Sequence, residues 1–374
     1  MGSDKQDEIG TEHREFSRRR FLRYLGGTAV AGTAYGGLAT ILGEQGASAA
    51  TLARQNSDTA FFAKHPKYHF VMICHVTTNS FFTATIYGIQ DACAITGCSY
   101  QWTGSQNSLS SQMVSAFNGA IAAKASGIGC CLIDNTAFNS PTDHALDKGI
   151  PVIAYNADVS AGVKNDRMAY VGQNNLTAGA AVAQQILKTG IKKGDLVAGI
   201  IATPGTGNIQ PRIDGAKPVL QKAGVDFVEV GTSATEGAPE YNKISAWYAG
   251  HKDVKFMFGV DSGDSDAIAQ FIQKNNLKGK VGGAGWDVGT PVVQGVKAGN
   301  LTFTIDQQAY LQGFDTIMQL FLFNVSGGLM KPTNTDTGLG IVVKSNVGPY
   351  LAKNRFEGTS SKQQTLKPPV PIPH

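Results

Sequence analysis

The sequence predicts an α/β protein of two lobes, each a doubly wound parallel sheet. Two observations predict it. Short apolar runs of strand length alternate with segments at helical spacing from Tyr68 to Val343. Such alternation implies right-handed crossovers, with helices on both faces of parallel sheets. More than ten strand candidates follow one another, too many for one ordinary twisted sheet.

The first unit sets the pattern. Phe70 to Cys74 is a strand, a loop carries Asn79, Phe81 and Phe82, and Ile86, Ile89, Ala92 and Cys93 then recur at helical spacing. In open α/β sheets ligands sit outside the carboxyl ends of the strands, where this loop falls. Paired aromatics beside an amide can cover the apolar face of a small polar molecule while the amide bonds its rim. A strand at 100–103, a helix over 109–126 and a buried strand at 128–133 come next. The helix at 139–148 opens on Asn139-Ser140-Pro141, a side-chain cap with proline in the first turn. Strands at 151–155 and 168–171 close the first series.

The second series begins near 172–175. Helices are expected at 176–187, 209–223, 241–249, 267–275, 292–298 and 311–325. Strands are expected at 196–201, 227–230, 254–259, 281–284, 301–305 and 339–343. Gly224 suits the C-terminal end of its helix.

Charge and cysteine narrow the function. The net charge is +4, from 32 basic and 28 acidic residues, and residues 1–50 hold six of each. An excess so mild and dispersed gives no argument for nucleic acid or an anionic membrane. The five cysteines, Cys74, Cys93, Cys98, Cys130 and Cys131, lack zinc-site spacing and include no Cys-x-x-Cys. They read mostly as small buried apolar residues, and no metal site or cofactor is expected.

Ser17-Arg18-Arg19-Arg20-Phe21-Leu22-Arg23 resembles the twin-arginine export signature, and 24–42 is uncharged and rich in Gly, Ala and Thr. Ala47-Ser48-Ala49 has the small-x-small pattern of a cleavage site. Residues 1–50 are therefore expected to be a signal peptide cut near Ala49 or Ala50, leaving a periplasmic chain. Residues 351–374 end in Lys-Pro-Pro-Val-Pro-Ile-Pro-His and are expected to form a flexible tail.

Polar residues recur just beyond strands: Asn156 and Asp158, Gln173 and Asn174, 206–212, Asp261 and Asp264, Trp286 and Asp287, Asp306 and Gln307. Any one could be a turn or cap residue. Together they converge on one cleft, because the carboxyl ends of parallel strands do. At this point the chain resembles the type I periplasmic sugar-binding proteins, the ribose- and galactose-binding group that serves ABC importers. The resemblance rests on Asn79-Ser-Phe81-Phe82, on 149–158 with Asn156 and Asp158, on Tyr170-Val-Gly-Gln-Asn-Asn, on Arg212-Ile-Asp-Gly215, on Gly285-Trp-Asp287 and on Thr304-Ile-Asp-Gln307.

The resemblance implies a three-segment hinge joining a lobe of 64–173 plus 308–334 to one of 174–307 plus 335–350. It implies a neutral monosaccharide or polyol held by Asn79, Phe81, Phe82, Asn156 and Asp158 from the first lobe. From the second it implies Arg212, Tyr241, Asp261, Asp287 and Gln307, with His75 also at a lining position. Asp261 and Asp264 remain alternatives, since the chain is longer there than the ribose pattern. Asn156-Ala157 stands where that pattern has Asp-Arg, so one arginine clamp is missing. The implied partners are the sugar and an inner-membrane ABC permease, and the implied state is a monomer without catalytic activity. The mechanism would be hinge closure around the ligand.

Two other classes compete. An exported sugar oxidoreductase would need a cofactor fingerprint, yet no Gly-x-Gly-x-x-Gly follows a strand, and Thr203-Pro-Gly-Thr-Gly207 lacks that spacing. A receptor for chemotaxis or sensing shares the fold, and fold does not choose between it and an importer.

Overall fold

The computed structural model describes residues 64–233 and 237–367. The export signal expected over 1–50 lies outside the described residues, as do 368–374 at the end of the tail.

The first series runs β1 (His69–Cys74), α1 (Phe82–Thr96), β2 (Ser99–Gly104), α2 (Ser110–Ala122), β3 (Gly127–Cys130), α3 (Asn139–Asp147), β4 (Val152–Tyr155) and β5 (Ala169–Gly172). The second runs α4 (Asn175–Lys188), β6 (Leu196–Ile201), α5 (Gln210–Lys222), β7 (Asp226–Gly231), α6 (Ala238–Gly250), β8 (Phe256–Gly259), α7 (Ser262–Lys274), β9 (Gly282–Ala284), α8 (Thr290–Ala298) and β10 (Phe303–Asp306). The chain ends with α9 (Ala309–Val325), β11 (Thr335–Asp336), β12 (Gly340–Val343) and α10 (Gly348–Leu351).

Two six-stranded sheets result, in the orders β11-β5-β4-β3-β1-β2 and β12-β10-β9-β8-β6-β7. Every pairing is parallel except that of β12 with β10, which is antiparallel. The central strands are buried on both faces, as their unbroken apolar runs require: β3, β4 and β8 expose no residue.

Three segments pass between the sheets. The chain leaves the first after β5, returns after β10 into α9, and crosses again after β11. Because β11 pairs with β5, the last crossing follows Asp336 rather than Asn334. Helix α9 packs on the first core through Ile317, Leu320 and Phe321. It meets α1 closely because glycines face each other's backbones. A Cβ on Gly88 would lie 2.1 Å from the Tyr310 carbonyl, and one on Gly313 would lie 2.2 Å from that of Thr85. This contact anchors α1, and with it the Phe81-Phe82 corner.

Two expectations change. Helix α7 starts at Ser262 rather than Ala267, because the Asp261 carboxylate accepts from the Asp264 amide at 2.9 Å and caps it. The tail does not trail from residue 351. Asn354 and Arg355 are buried, and Arg355 pairs with Asp91 of α1. Since α10 packs on the second core through Tyr350 and Leu351, this segment is a fourth link between lobes.

Candidate functional site

The carboxyl ends of the two sheets enclose a cavity of about 110 Å³. His75, Asn79, Phe81, Phe82 and Asn156 line it from the first lobe, and Arg212, Asp261 and Asp287 from the second, with Gln307 at a crossing. A larger space of about 730 Å³ adjoins it across Phe81, Ser262, Asp287 and Gln307, and extends to Tyr350 and Glu357.

Local sequence explains these placements. Asn79 turns the chain after β1, its side-chain oxygen accepting from the Phe81 amide at 2.8 Å. The two phenyl rings then meet edge to face at 4.9 Å. Phe82 also meets the His75 ring edge to face at 5.3 Å and is only 2 % exposed, so it is core as much as lining. Asn156 and Asp287 each sit just past a strand with left-handed backbone, φ 61° and 68°. Asn and Asp tolerate that region better than most residues, and it turns both side chains out of their strands.

Arg212 is the centre of the second lobe's wall. Its Nε donates to Asn175 Oδ1 at 3.0 Å, Nη1 to the Val260 carbonyl at 2.6 Å and Nη2 to Gln307 Oε1 at 3.3 Å. The guanidinium lies 4.6 Å above the Trp286 ring. Gln307 donates in turn to Asp287 Oδ1 at 2.6 Å. Across the crossing, Gln312 Nε2 donates to Gln307 Oε1 at 3.1 Å, and its Oε1 accepts from Asn156 at 3.0 Å. One network therefore ties Arg212, Asp287 and Gln307 to Asn156 of the opposite lobe. Burial lowers the pKa of Arg212, with Asp287 opposing. Burial pushes the Asp287 carboxyl up to about 6, against Arg212 and the Gln307 hydrogen bond.

Two candidates stand outside the cavity. Asp158 turns into an ion pair with Arg167 of its own lobe. Burial raises its pKa while Arg167 opposes that shift. Tyr241 packs on Phe271 at 5.9 Å, with Lys274 Nζ 4.7 Å above its ring. Its predecessor Glu240 faces the cavity instead and is 1 % exposed. Successive helix residues point about 100° apart, so an aromatic chosen by type missed the neighbour that faces in.

Asp261 lines the cavity, while Asp264 lies behind it and accepts from the Thr232 hydroxyl at 2.6 Å. Burial, with Asp261 adding to it, holds Asp264 well above the usual carboxylate range. Thr203 and Asn208 also line the cavity. Asn208 reaches across to His75 Nε2 at 3.5 Å. Its place in the polar stretch 206–212 was visible in the sequence, but not which residue of that stretch would face in.

The set suits a neutral polyhydroxylated ligand. Carboxylates and amides accept from or donate to hydroxyls, an arginine presents a fixed fork, and aromatic rings cover C–H faces.

Comparison with known proteins agrees with the two-lobed α/β fold. The family model described as "Periplasmic binding protein domain" matches residues 70–323. The xylose/arabinose-binding protein XylF of Sulfolobus acidocaldarius is 40% identical over 311 residues, covering 80% of this chain and 76% of the relative. An ABC transporter solute-binding protein of Burkholderia graminis, solved with D-arabinose, superposes with a TM-score of 0.71 at 27% identity, covering 77% of this chain and all (100%) of that one. The glucose-galactose binding protein GanP of Geobacillus stearothermophilus shares the fold at a TM-score of 0.70 and 21% identity, covering 76% of this chain and 100% of its own.

Proposed function

The chain belongs to the periplasmic binding protein domain family, and from that premise we propose that it is the exported sugar receptor of an ABC importer. The ligand is a single monosaccharide, with aldopentoses of the xylose and arabinose type first in order. The observation that carries this reading is the Arg212–Gln307–Asp287 network, which faces Asn79, Phe81 and Asn156 across one small cavity. The named ligands of XylF and of the Burkholderia protein support the pentose choice.

The receptor acts by closure. A sugar bonded by both lobes has its full set of partners only when they meet, so it stabilises the shut form by its differential affinity. A pocket of fixed donors and acceptors rejects a misplaced hydroxyl, because one buried unpaired polar group costs about 1–3 kcal/mol. The closed monomer then docks on an inner-membrane permease. The twin-arginine signature over 17–23 gives the export route, with the cut near Ala49 or Ala50. The reading assigns no reaction to the bound sugar.

Calorimetry of the exported chain against D-xylose, L-arabinose, D-arabinose, D-ribose, D-glucose and xylitol tests it. One pentose should bind at one site and compact the protein in solution scattering. No heat with any of the six, and an unchanged scattering profile, removes the proposal.

A further inference from the structure

Directly beneath the cavity, three adjacent strands end in a row of chemically unusual residues. Ile73 pairs with Cys130, and Cys130 with Ala154. The next residue along each strand is therefore Cys74, Cys131 or Tyr155, so these three lie side by side at the carboxyl ends of β1, β3 and β4. All three are fully buried. His75 follows Cys74 and folds over the row. A sulfur of Cys74, a sulfur of Cys131 and one imidazole nitrogen of His75 all lie within 4.8 Å of one another.

Small buried cysteines alone would be ordinary core. The polar atoms around them are not. His75 is 7 % exposed, its Nε2 is turned to Asn208 in the cavity, and its Nδ1 is buried with no nitrogen or oxygen partner. The Tyr155 hydroxyl is likewise buried without one. Both side chains face the Cys131 sulfur. Buried polar groups are nearly always satisfied, and here two buried polar side chains are aimed at thiol sulfur with no nitrogen or oxygen partner, an arrangement suited to holding a soft cation between them.

We propose that Cys74, Cys131 and His75 form a binding site for a thiophilic d10 cation, Zn2+ or Cu+, with Tyr155 hydrogen-bonded to a ligating sulfur. Two thiolates and an imidazole are the soft donor set that such cations prefer, and neither demands six-coordinate geometry. Binding displaces the two thiol protons to solvent, so a divalent ion leaves the buried cluster neutral. His75 forms the wall between this site and the cavity, which gives the ion its way in. Sequence spacing conceals the set, because residues 74 and 131 come together only through strand pairing.

The test uses the whole chain, reduced and free of oxygen, with Zn2+ alone and Cu+ alone in separate arms. Each is titrated in competition with a chromophoric chelator. One equivalent should bind in at least one arm, and the Cys74→Ser/Cys131→Ser double variant should lose it while keeping a wild-type circular dichroism spectrum. Cd2+ added to the wild-type chain gives a second reading that depends on no variant, a charge-transfer band of two-thiolate intensity. Neither cation binding at one equivalent, or no thiolate band with Cd2+, overturns the site. So does a folded double variant that still binds one equivalent.

Discussion

Arg355 holds Asp91 in a bidentate grip, Nε to Oδ2 at 2.7 Å and Nη2 to Oδ1 at 2.8 Å, while its guanidinium rests 4.3 Å from the Tyr87 ring. The arginine follows a helix packed on the second core, and the aspartate lies on the first helix of the opposite lobe. The hydrogen bonds from Arg355 and Tyr310 pull the Asp91 carboxylate below its usual range against the upward push of its burial. Two charges paired this way, each side chain under one-fifth exposed, outweigh an ordinary surface pair.

Arg355→Ala should therefore lower unfolding free energy by about 1.5–3 kcal/mol, the range for losing hydrogen bonds between charged groups. It should also open the protease-sensitive bonds after Lys353 and Lys362. Denaturant melts and limited trypsin digestion check this. An unchanged melt with an unchanged digestion pattern would leave the strap without a holding role.

Arg212→Ala combines two losses. A charged hydrogen bond to a sugar hydroxyl is worth about 1.5–3 kcal/mol, so affinity should fall by roughly 10–100-fold. The same side chain satisfies Asn175, the Val260 carbonyl and Gln307 and covers Trp286, so the empty protein should also melt lower. Calorimetry beside a thermal melt separates the effects, and full affinity in the variant would take Arg212 out of the ligand shell.

The paired rings should separate by role. Phe82 is 2 % exposed within the first core, and Phe82→Ala should cost about 3–5 kcal/mol of stability, as large-to-small core changes do. Phe81 is only partly buried and lines both cavities, so Phe81→Ala should chiefly weaken sugar binding. Equal stability losses in the two variants would contradict the division.

The fold was legible because both signals on which it rests are local. Apolar runs such as 196–201 and helical spacing such as that of 311–325 need no knowledge of partners, and both elements stand where that spacing put them. Strand ends with polar followers marked the cleft for the same reason. The rest depends on partners distant in sequence. Nothing near Asp158 announces Arg167 as its mate, and nothing near Asp91 announces Arg355. The side that Tyr241 faces is decided by the rotation of α6 against α7, where Phe271 receives it. Strand β11 is two residues long, too short for any periodicity to show.

Asp287 gives the pocket a pH dependence. Its carboxyl is pushed up to about 6, first by burial, with Arg212 opposing. The ionised form is the stronger acceptor for a sugar hydroxyl, so binding favours it and releases a proton where the group is still protonated. Affinity should hold above about 6 and decline as pH falls through that value. Asp287→Asn should flatten the profile, and a wild-type profile that is already flat from pH ~5 to ~8 would mean that Asp287 does not touch the ligand.

Glu357 gives the strap a dependence in the opposite sense. Burial pushes its carboxyl from 4.5 up to about 8, and the charge of Asp306 adds to the push. The folded chain therefore holds this proton more tightly than the unfolded one, and the protonated strap is the stable form. Its contribution is complete below about 4.5, the unfolded value, and is lost as pH rises through about 8. Raising the pH across that window should weaken docking of the strap and speed trypsin cleavage after Lys353. Glu357→Gln, which keeps the shape without the charge, should remove the slope and leave the strap docked at high pH. Proteolysis rates measured against pH, corrected with an unstructured peptide for the enzyme's own profile, decide it. A slope that survives in the glutamine variant would assign the effect to another group.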